Sequence, residues 1–444
     1  MRQTVAIVGG GASGVLAATN LLARCSDAEL SVVIFEASGI VGRGIAYGTT
    51  DQRHLLNVRA RHMSAFPDRP GDLLDWSLRT GRNQDPQGFL SRADFAIYLQ
   101  DRLGEVADDR LQIRAGRVLD VVRREADGFD VATARTTTRA DHVILAYGNL
   151  APRPLAVDGE PLPDAAWLFD NPWDLGRLRR LPADAHVLIV GTGLTSIDTA
   201  ITLLEEGPNR HVTMVSRNGV LPKAHAGQQH TAWVTKVPEG PLTADLLAET
   251  MVAEIEAARA VDVSWRAVVD GIRPATNDLW RRLPHEERVR FLEVHRREWE
   301  IRRHRMAREI ADRVDRYRRE GRLSIRPGTL VAVSDAATVA DVVLAPGEAP
   351  QHFHAVVNCT GPLTDVTGSD DPLLHALLRR GLIAPDPLRL GILSTDDGEL
   401  LDASGEVVEG LYAVGPPRKG TLWESTAIPE IRTQAAQIAA RIAG

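Results

Sequence analysis

The chain has 444 residues, 44% hydrophobic and 25% charged, which is ordinary for a globular protein and long enough for two or three domains. Its net charge of −7 is spread along the sequence and gives no reason to expect a nucleic-acid partner, and no apolar run is long enough to span a bilayer. Cys25 and Cys359 are the only cysteines, which excludes a disulfide framework and any Cys-x-x-Cys redox pair; no metal is expected either.

The first apolar run, Val5-Ala-Ile-Val-Gly-Gly-Gly-Ala-Ser-Gly14, predicts a strand, a tight turn and the start of a helix. It begins too early to leave room for a signal peptide, so the expected compartment is the cytoplasm. Gly9 permits the turn, Gly11 lets the backbone approach a pyrophosphate, and Gly14 lets helix and strand pack closely. Ser13 belongs to the same phosphate-facing turn. Free N–H groups at the helix start, with the positive end of its dipole, would hold the phosphates. The next strand, Ser31-Val-Val-Ile-Phe-Glu36, ends in a carboxylate 22 residues after Gly14, where it can accept both hydroxyls of an adenosine ribose from FAD or NAD.

An irregular stretch runs on to about residue 72 and contains His54-Leu-Leu-Asn-Val-Arg-Ala-Arg-His-Met-Ser-Ala-Phe-Pro67; its length predicts a functional loop. Helical patterns follow near 73–78 and 92–103, then short strands over 112–142, closed by Val143-Ile-Leu-Ala-Tyr-Gly-Asn149. Pro152, Pro154, Pro161 and Pro163 mark a linker.

A second glycine turn, Val187-Leu-Ile-Val-Gly-Thr-Gly-Leu-Thr-Ser196, repeats the strand-turn-helix context with Gly191 and Gly193, and Ser196 stands at the third glycine position. Its following strand, Val212-Thr-Met-Val-Ser216, ends at Arg217 rather than at an acid. A guanidinium there suits a 2′-phosphate and favours NADPH, with NADH not excluded. The alternative is an ordinary surface arginine beside the pocket.

Residues 242–322 read as a helical insertion, with 18 arginines against 12 acids from Arg259 to Arg322. Most of that charge fits a solvated face laced with i,i+4 pairs; the functional alternative is a lid whose arginines meet an anionic substrate. Ala355-Val-Val-Asn-Cys-Thr-Gly361 and Gly410-Leu-Tyr-Ala-Val-Gly415 read as two further strands ending in glycine. A last helix begins near Ile428, with Ile431, Ala435, Ile438 and Ile442 as its buried stripe.

The predicted fold is therefore α/β, with two Rossmann-type dinucleotide-binding domains and a helical insertion. Residues 1–150 form the first segment of the FAD domain and residues 151–360 the NAD(P)H domain with its insertion at about 242–322. Residues 361–444 return to the FAD domain. Two sites with different acceptor residues imply two dinucleotides and electron transfer between them.

Gly42 and Arg43, following Glu36, resemble the extended FAD pattern of the two-dinucleotide flavoproteins, as do the strand ends at Gly148 and Gly415. In relatives an aspartate for the ribityl chain follows the last of these strands, where this chain has Pro416 and Pro417. Nearly the whole chain resembles a bacterial family of FAD/NAD(P)-binding proteins that includes a urate hydroxylase and an aspartate N-monooxygenase. The resemblance rests on Gly42-Arg-Gly-Ile-Ala-Tyr47, Leu56-Asn-Val-Arg-Ala-Arg-His-Met-Ser64, Leu221-Pro-Lys-Ala-His-Ala226, Trp265-Arg-Ala-Val-Val-Asp270, Asn358-Cys-Thr-Gly-Pro362 and Gly420-Thr-Leu-Trp-Glu-Ser-Thr426.

The resemblance implies a monooxygenase that uses FAD, NAD(P)H and dioxygen, through a flavin hydroperoxide, on a small nitrogen-containing substrate such as urate or an amino acid. It implies pocket groups at Asn57, Arg59, His62 and Met63 in the loop, and at Trp423, Glu424 and Ser425 before the last helix. Lys223 and His225 are candidates for the seam between nicotinamide and flavin, whereas Cys359 is expected to be inert. Two other readings remain open at this point: a reductase or oxidase that inserts no oxygen, and a flavin-binding sensor without turnover.

Overall fold

A computed structural model describes residues 2–25, 30–83, 85–227, 232–335 and 339–443. In the first sheet, Gln3–Val8, Leu30–Glu36 and Leu111–Ala115 run parallel, and His142–Leu145 and Val407–Ala413 extend it on the other side of Gln3–Val8. Glu399–Leu401 adds an antiparallel edge. The central strands read as unbroken apolar runs because both faces are covered. Val5, Ile7, Val32 and Ile34 pack beneath the helices Ala12–Arg24 and Ile428–Ala443, the latter through Ile431, Ala435, Ile438 and Ile442. Ala6, Val8, Val33 and Phe35 meet the antiparallel meander Val118–Arg123, Phe129–Thr133 and Thr137–Ala140, together with the helix Pro372–Arg379.

The second sheet is parallel throughout, in the order Leu168–Phe169, Ala355–Asn358, His186–Val190, His211–Ser216 and Leu323–Pro327. Helix Arg308–Arg319 buries Ile310, Val314 and Tyr317 in the core of this sheet, so it is the crossover into Leu323–Pro327 although it falls within the 242–322 span. The helices packed apart from that core are Ala244–Arg259, Trp265–Ile272, Thr276–Arg282, His285–Arg290 and Arg296–Arg303, with a π-helical turn at Phe291–His295. They bury Leu242, Ile272, Leu279 and Trp280 against Leu390 and Trp423 of the return segment.

A buried polar seam joins the two sheets' domains. Thr202 donates to Asp51 at 2.7 Å and lies 2.8 Å from Nε2 of His54, while Arg92 donates to Asp198 at 3.0 Å. The loop after Glu36 and the helix Arg92–Val106 are thereby tied to the helix Leu194–Glu206. Among the described residues no helix is long and apolar enough to cross a membrane.

Candidate functional site

Helices Ala12–Arg24 and Leu194–Glu206 both start at a glycine, Gly11 and Gly193, with no side-chain cap and no acid in the first turn. Some other helices are capped by a side chain, as those that start at Ser91, Thr243 and Asp371 are. The first N–H groups of these two helices are therefore left for an anion, and the dipole favours one there.

The glycines divide into two kinds. Gly9 has φ +105° and a Cβ there would meet the Ala146 carbonyl oxygen at 2.5 Å; a Cβ on Gly14 would meet the Gly9 oxygen at 1.9 Å. Gly191 has φ +126° and a Cβ would lie 2.1 Å from the Cys359 oxygen. These positions are glycine because the protein itself fills the space. Gly11 and Gly193 are the opposite case: a Cβ on Gly11 comes no nearer than 3.5 Å to Gly44, and one on Gly193 has nothing within 4 Å. The space in front of them is free for a pyrophosphate, which is the fit that a dinucleotide requires.

A cleft of about 620 Å³ opens in front of the first turn, lined by Gly9, Gly11, Ser13, Glu36, Arg43 and Gly148 among others. Glu36 accepts from the Gly10 N–H at 2.8 Å and from Ser38, which fixes its carboxylate at the cleft mouth. A smaller cavity of about 160 Å³ shares Gly148, Pro416 and Thr426 with this cleft and is also lined by Pro362, Leu363 and Lys419. The first cleft thus runs on to Pro362 and Leu363, in the segment that follows strand Ala355–Asn358 of the second sheet.

At the second turn, Thr192 lies 2.9 Å from the Ser216 hydroxyl and receives an N–H from Arg297 at 3.2 Å. Arg217 follows that strand end and is exposed.

A third cavity, of about 340 Å³, lies between the 57–62 loop, His225 and the insertion. Asn57, Arg59 and His62 line it as three of the predicted pocket groups, and Arg273, Arg303 and Arg305 enter from the insertion side. Arg59 donates to the backbone oxygens of Gln87 and Ala226, so it ties the loop to the 221–226 segment. His225 lies 2.9 Å from the Asn57 carbonyl, and burial and then Arg305 push its pKa down to about 4. Burial and Arg61 lower the pKa of His62 as well.

Residues 6–150 match a family model described as FAD-NAD(P)-binding. Two curated proteins are similar over part of the chain. A ferredoxin–NADP reductase of Albidiferax ferrireducens is 28% identical over 26% of this chain and 33% of its own length. The monooxygenase PC-14 of Penicillium crustosum is 26% identical over 48% of this chain and 36% of its own. The chain spans about a third of the length of each. Among solved structures, the ornithine hydroxylase PvdA of Pseudomonas aeruginosa aligns with TM-score 0.67 at 16% identity, covering 100% of this chain and 99% of that one. The L-lysine 6-monooxygenase of Pseudomonas syringae aligns with TM-score 0.66 at 18% identity and the same coverage. The chain has the fold of the FAD- and NAD(P)-binding flavoproteins.

Within this flavoprotein fold the predicted residues separate by what surrounds them. Gly42, with φ +83°, packs on Gln100 and Ala96 and donates to the Gly10 oxygen, so it holds up Arg43. Gly415 packs on Ser13, and Gly361 precedes Pro362 of the smaller cavity. Ser196 is fully buried beside Gly191, in the packing position of a third glycine.

Trp423 and Glu424, expected as catalytic groups, line none of these three cavities. Trp423 packs 4.9 Å from Trp280 and edge-on to Phe291, in the interface with the insertion. Glu424 is buried and receives both Nε and Nη2 of Arg303 at 2.9 Å. Burial alone would raise its carboxyl, but Arg303 and then His304 hold it below the usual range. Met63 and Ser425 are buried, and Lys223 is exposed and lines no described cavity. Burial pushes the Cys359 thiol up to about 12, which leaves it protonated and inert.

Gly10 was not among the predicted positions, yet a Cβ there would meet Glu36 at 2.9 Å. Its place between Gly9 and Gly11 was the available signal. Where Pro416 and Pro417 stand, a 3₁₀ turn carries Arg418 into the protein body, and its Nη2 donates to Thr395 and Asp396 at 2.9 and 2.7 Å.

Proposed function

We propose that the protein is an FAD-dependent, NADPH-consuming monooxygenase that hydroxylates a small nitrogen-containing compound, with amino acids as the leading substrate class. The observation that carries this reading is the continuity of the sites. The cleft in front of Gly11 runs into a cavity walled by Pro362 and Leu363, where the chain leaves the second sheet after Ala355–Asn358, and no cysteine pair stands there to take electrons from a flavin.

Glu36 would hold the adenosine ribose, the first turns of the two uncapped helices would hold the pyrophosphates, and Arg217 would hold the 2′-phosphate. The chemistry supplied by the bound pair is hydride acceptance from nicotinamide and reduction of dioxygen. The protein's own part is to position the nucleotides and to keep the substrate cavity shielded from bulk water. Ornithine and lysine hydroxylases share the fold, which supports an amino-acid substrate over urate.

The test is NADPH oxidation by FAD-loaded protein against a panel of amino acids, with hydrogen peroxide measured in parallel. Stimulation by one amino acid, with hydroxylated product accounting for the NADPH consumed, supports the reading. The similarity to a ferredoxin–NADP reductase keeps a reductase as the competing reading. Substrate-independent oxidation, with all electrons found in peroxide or an artificial acceptor, would favour it.

A further inference from the structure

Resting on that reading, we propose that the cavity between the 57–62 loop and the insertion is a carboxylate site, with Arg305 as the principal donor to the acid group of the substrate. Its volume of about 340 Å³ suits a small molecule.

Five arginines line the cavity, Arg59, Arg61, Arg273, Arg303 and Arg305, against the single acid Asp270. Two of them are neutralised from behind. Arg303 forms its two-pronged pair with Glu424, and Arg273 forms another with Glu430, both bonds at 2.8 Å. These two make a rigid wall. Arg305 is different: its side chain is 4% exposed, its Nη2 donates to Asp270, and its Nε and Nη1 have no partner. Unmet donors on a buried guanidinium are costly, and Arg305, which lines the cavity, has donor capacity left for an acceptor brought in there.

His225 and His62 add no positive charge to the lining, because burial holds both towards their neutral forms. Asp270, Glu424 and Glu430 offset three of the five positive charges, and the two that remain sit on planar guanidinium forks that suit a dicarboxylate such as succinate. The cavity also stands next to the redox cleft. Arg303 lines the first, and Thr426, two residues past its partner Glu424, lines the second.

The experiment is calorimetric titration of the full-length, FAD-loaded protein with succinate, acetate, succinamide and inorganic phosphate. Succinate should bind, and the uncharged diamide should not. Arg305→Gln should weaken succinate binding by about tenfold or more, with Arg305→Lys recovering part of it. Should Arg305→Gln fail to fold, as judged by thermal melting, Arg61→Glu on the opposite wall should weaken succinate binding to a similar extent. Equal binding of the diamide, tighter binding of phosphate than of succinate, or unchanged affinity in the folded variants would overturn the proposal. Succinate binding that persists while no oxygen enters any product would sink the monooxygenase reading and leave the carboxylate site standing. Labelled product without carboxylate binding would do the reverse.

Discussion

Gly191 and Gly193 are two residues apart, and the structure assigns them opposite roles that alanine can separate. A methyl at Gly193 meets no atom within 4 Å, and φ of −84° suits any residue. At this N-cap position the change should cost about 1 kcal/mol or less of stability. It would, however, stand where the pyrophosphate approaches. Loss of one charge-assisted N–H contact, roughly 1.5–3 kcal/mol, raises KM for NADPH about 10- to 100-fold. A methyl at Gly191 has φ +126° and the Cys359 oxygen 2.1 Å away, so that turn must break, at roughly 3 kcal/mol or more. Gly193→Ala should therefore keep wild-type melting temperature and bound flavin while losing NADPH affinity, whereas Gly191→Ala should lose melting temperature first. Steady-state kinetics with flavin absorbance and differential scanning calorimetry read both. A Gly193→Ala protein with unchanged KM, or with lost flavin, would refute the division of roles.

Arg217→Ala should raise KM for NADPH about tenfold or more and leave that for NADH nearly unchanged, since a 2′-phosphate contact is worth roughly 1.5–3 kcal/mol; equal shifts would make Arg217 a surface residue. Glu424→Gln leaves Arg303 buried without its counter-charge and should cost about 3–5 kcal/mol, seen as a clear drop in melting temperature; an unchanged melt would contradict the pairing. His225 and His304 are both pushed down to about 4, mainly by burial. Because the unfolded chain binds those protons first, their contribution is complete above about pH 6.5 and is lost as the pH falls towards 4, up to about 3 kcal/mol each. Urea midpoints that stay flat between pH 7 and pH 4.5 would refute that.

The two turns were legible in the sequence because their demand is local: a positive φ, an open helix start and an acceptor at the next strand end fall within about thirty residues. The insertion-side wall of the third cavity was not. Arg303 and Arg305 sit among 18 arginines, and a π-helical turn at Phe291–His295 shifts the helical phase before them, so periodicity cannot tell inward from outward. Glu424 looked like a reactive acid because its partner lies 121 residues away, across a packing interface that no local pattern encodes. Trp423 carried the same ambiguity, since an indole in a short motif packs on a neighbouring helix as readily as on a ligand. The loop residues Asn57, Arg59 and His62, expected from the resemblance and from the length of the irregular stretch, line the third cavity.

The most direct test of the central claim is the destination of labelled dioxygen. FAD-loaded protein, NADPH and the amino acid that stimulates turnover should be mixed under ¹⁸O₂ and the product examined by mass spectrometry. One labelled oxygen atom in the hydroxylated product is the predicted result. Label confined to peroxide and water, with the amino acid returned unchanged, would contradict the monooxygenase assignment.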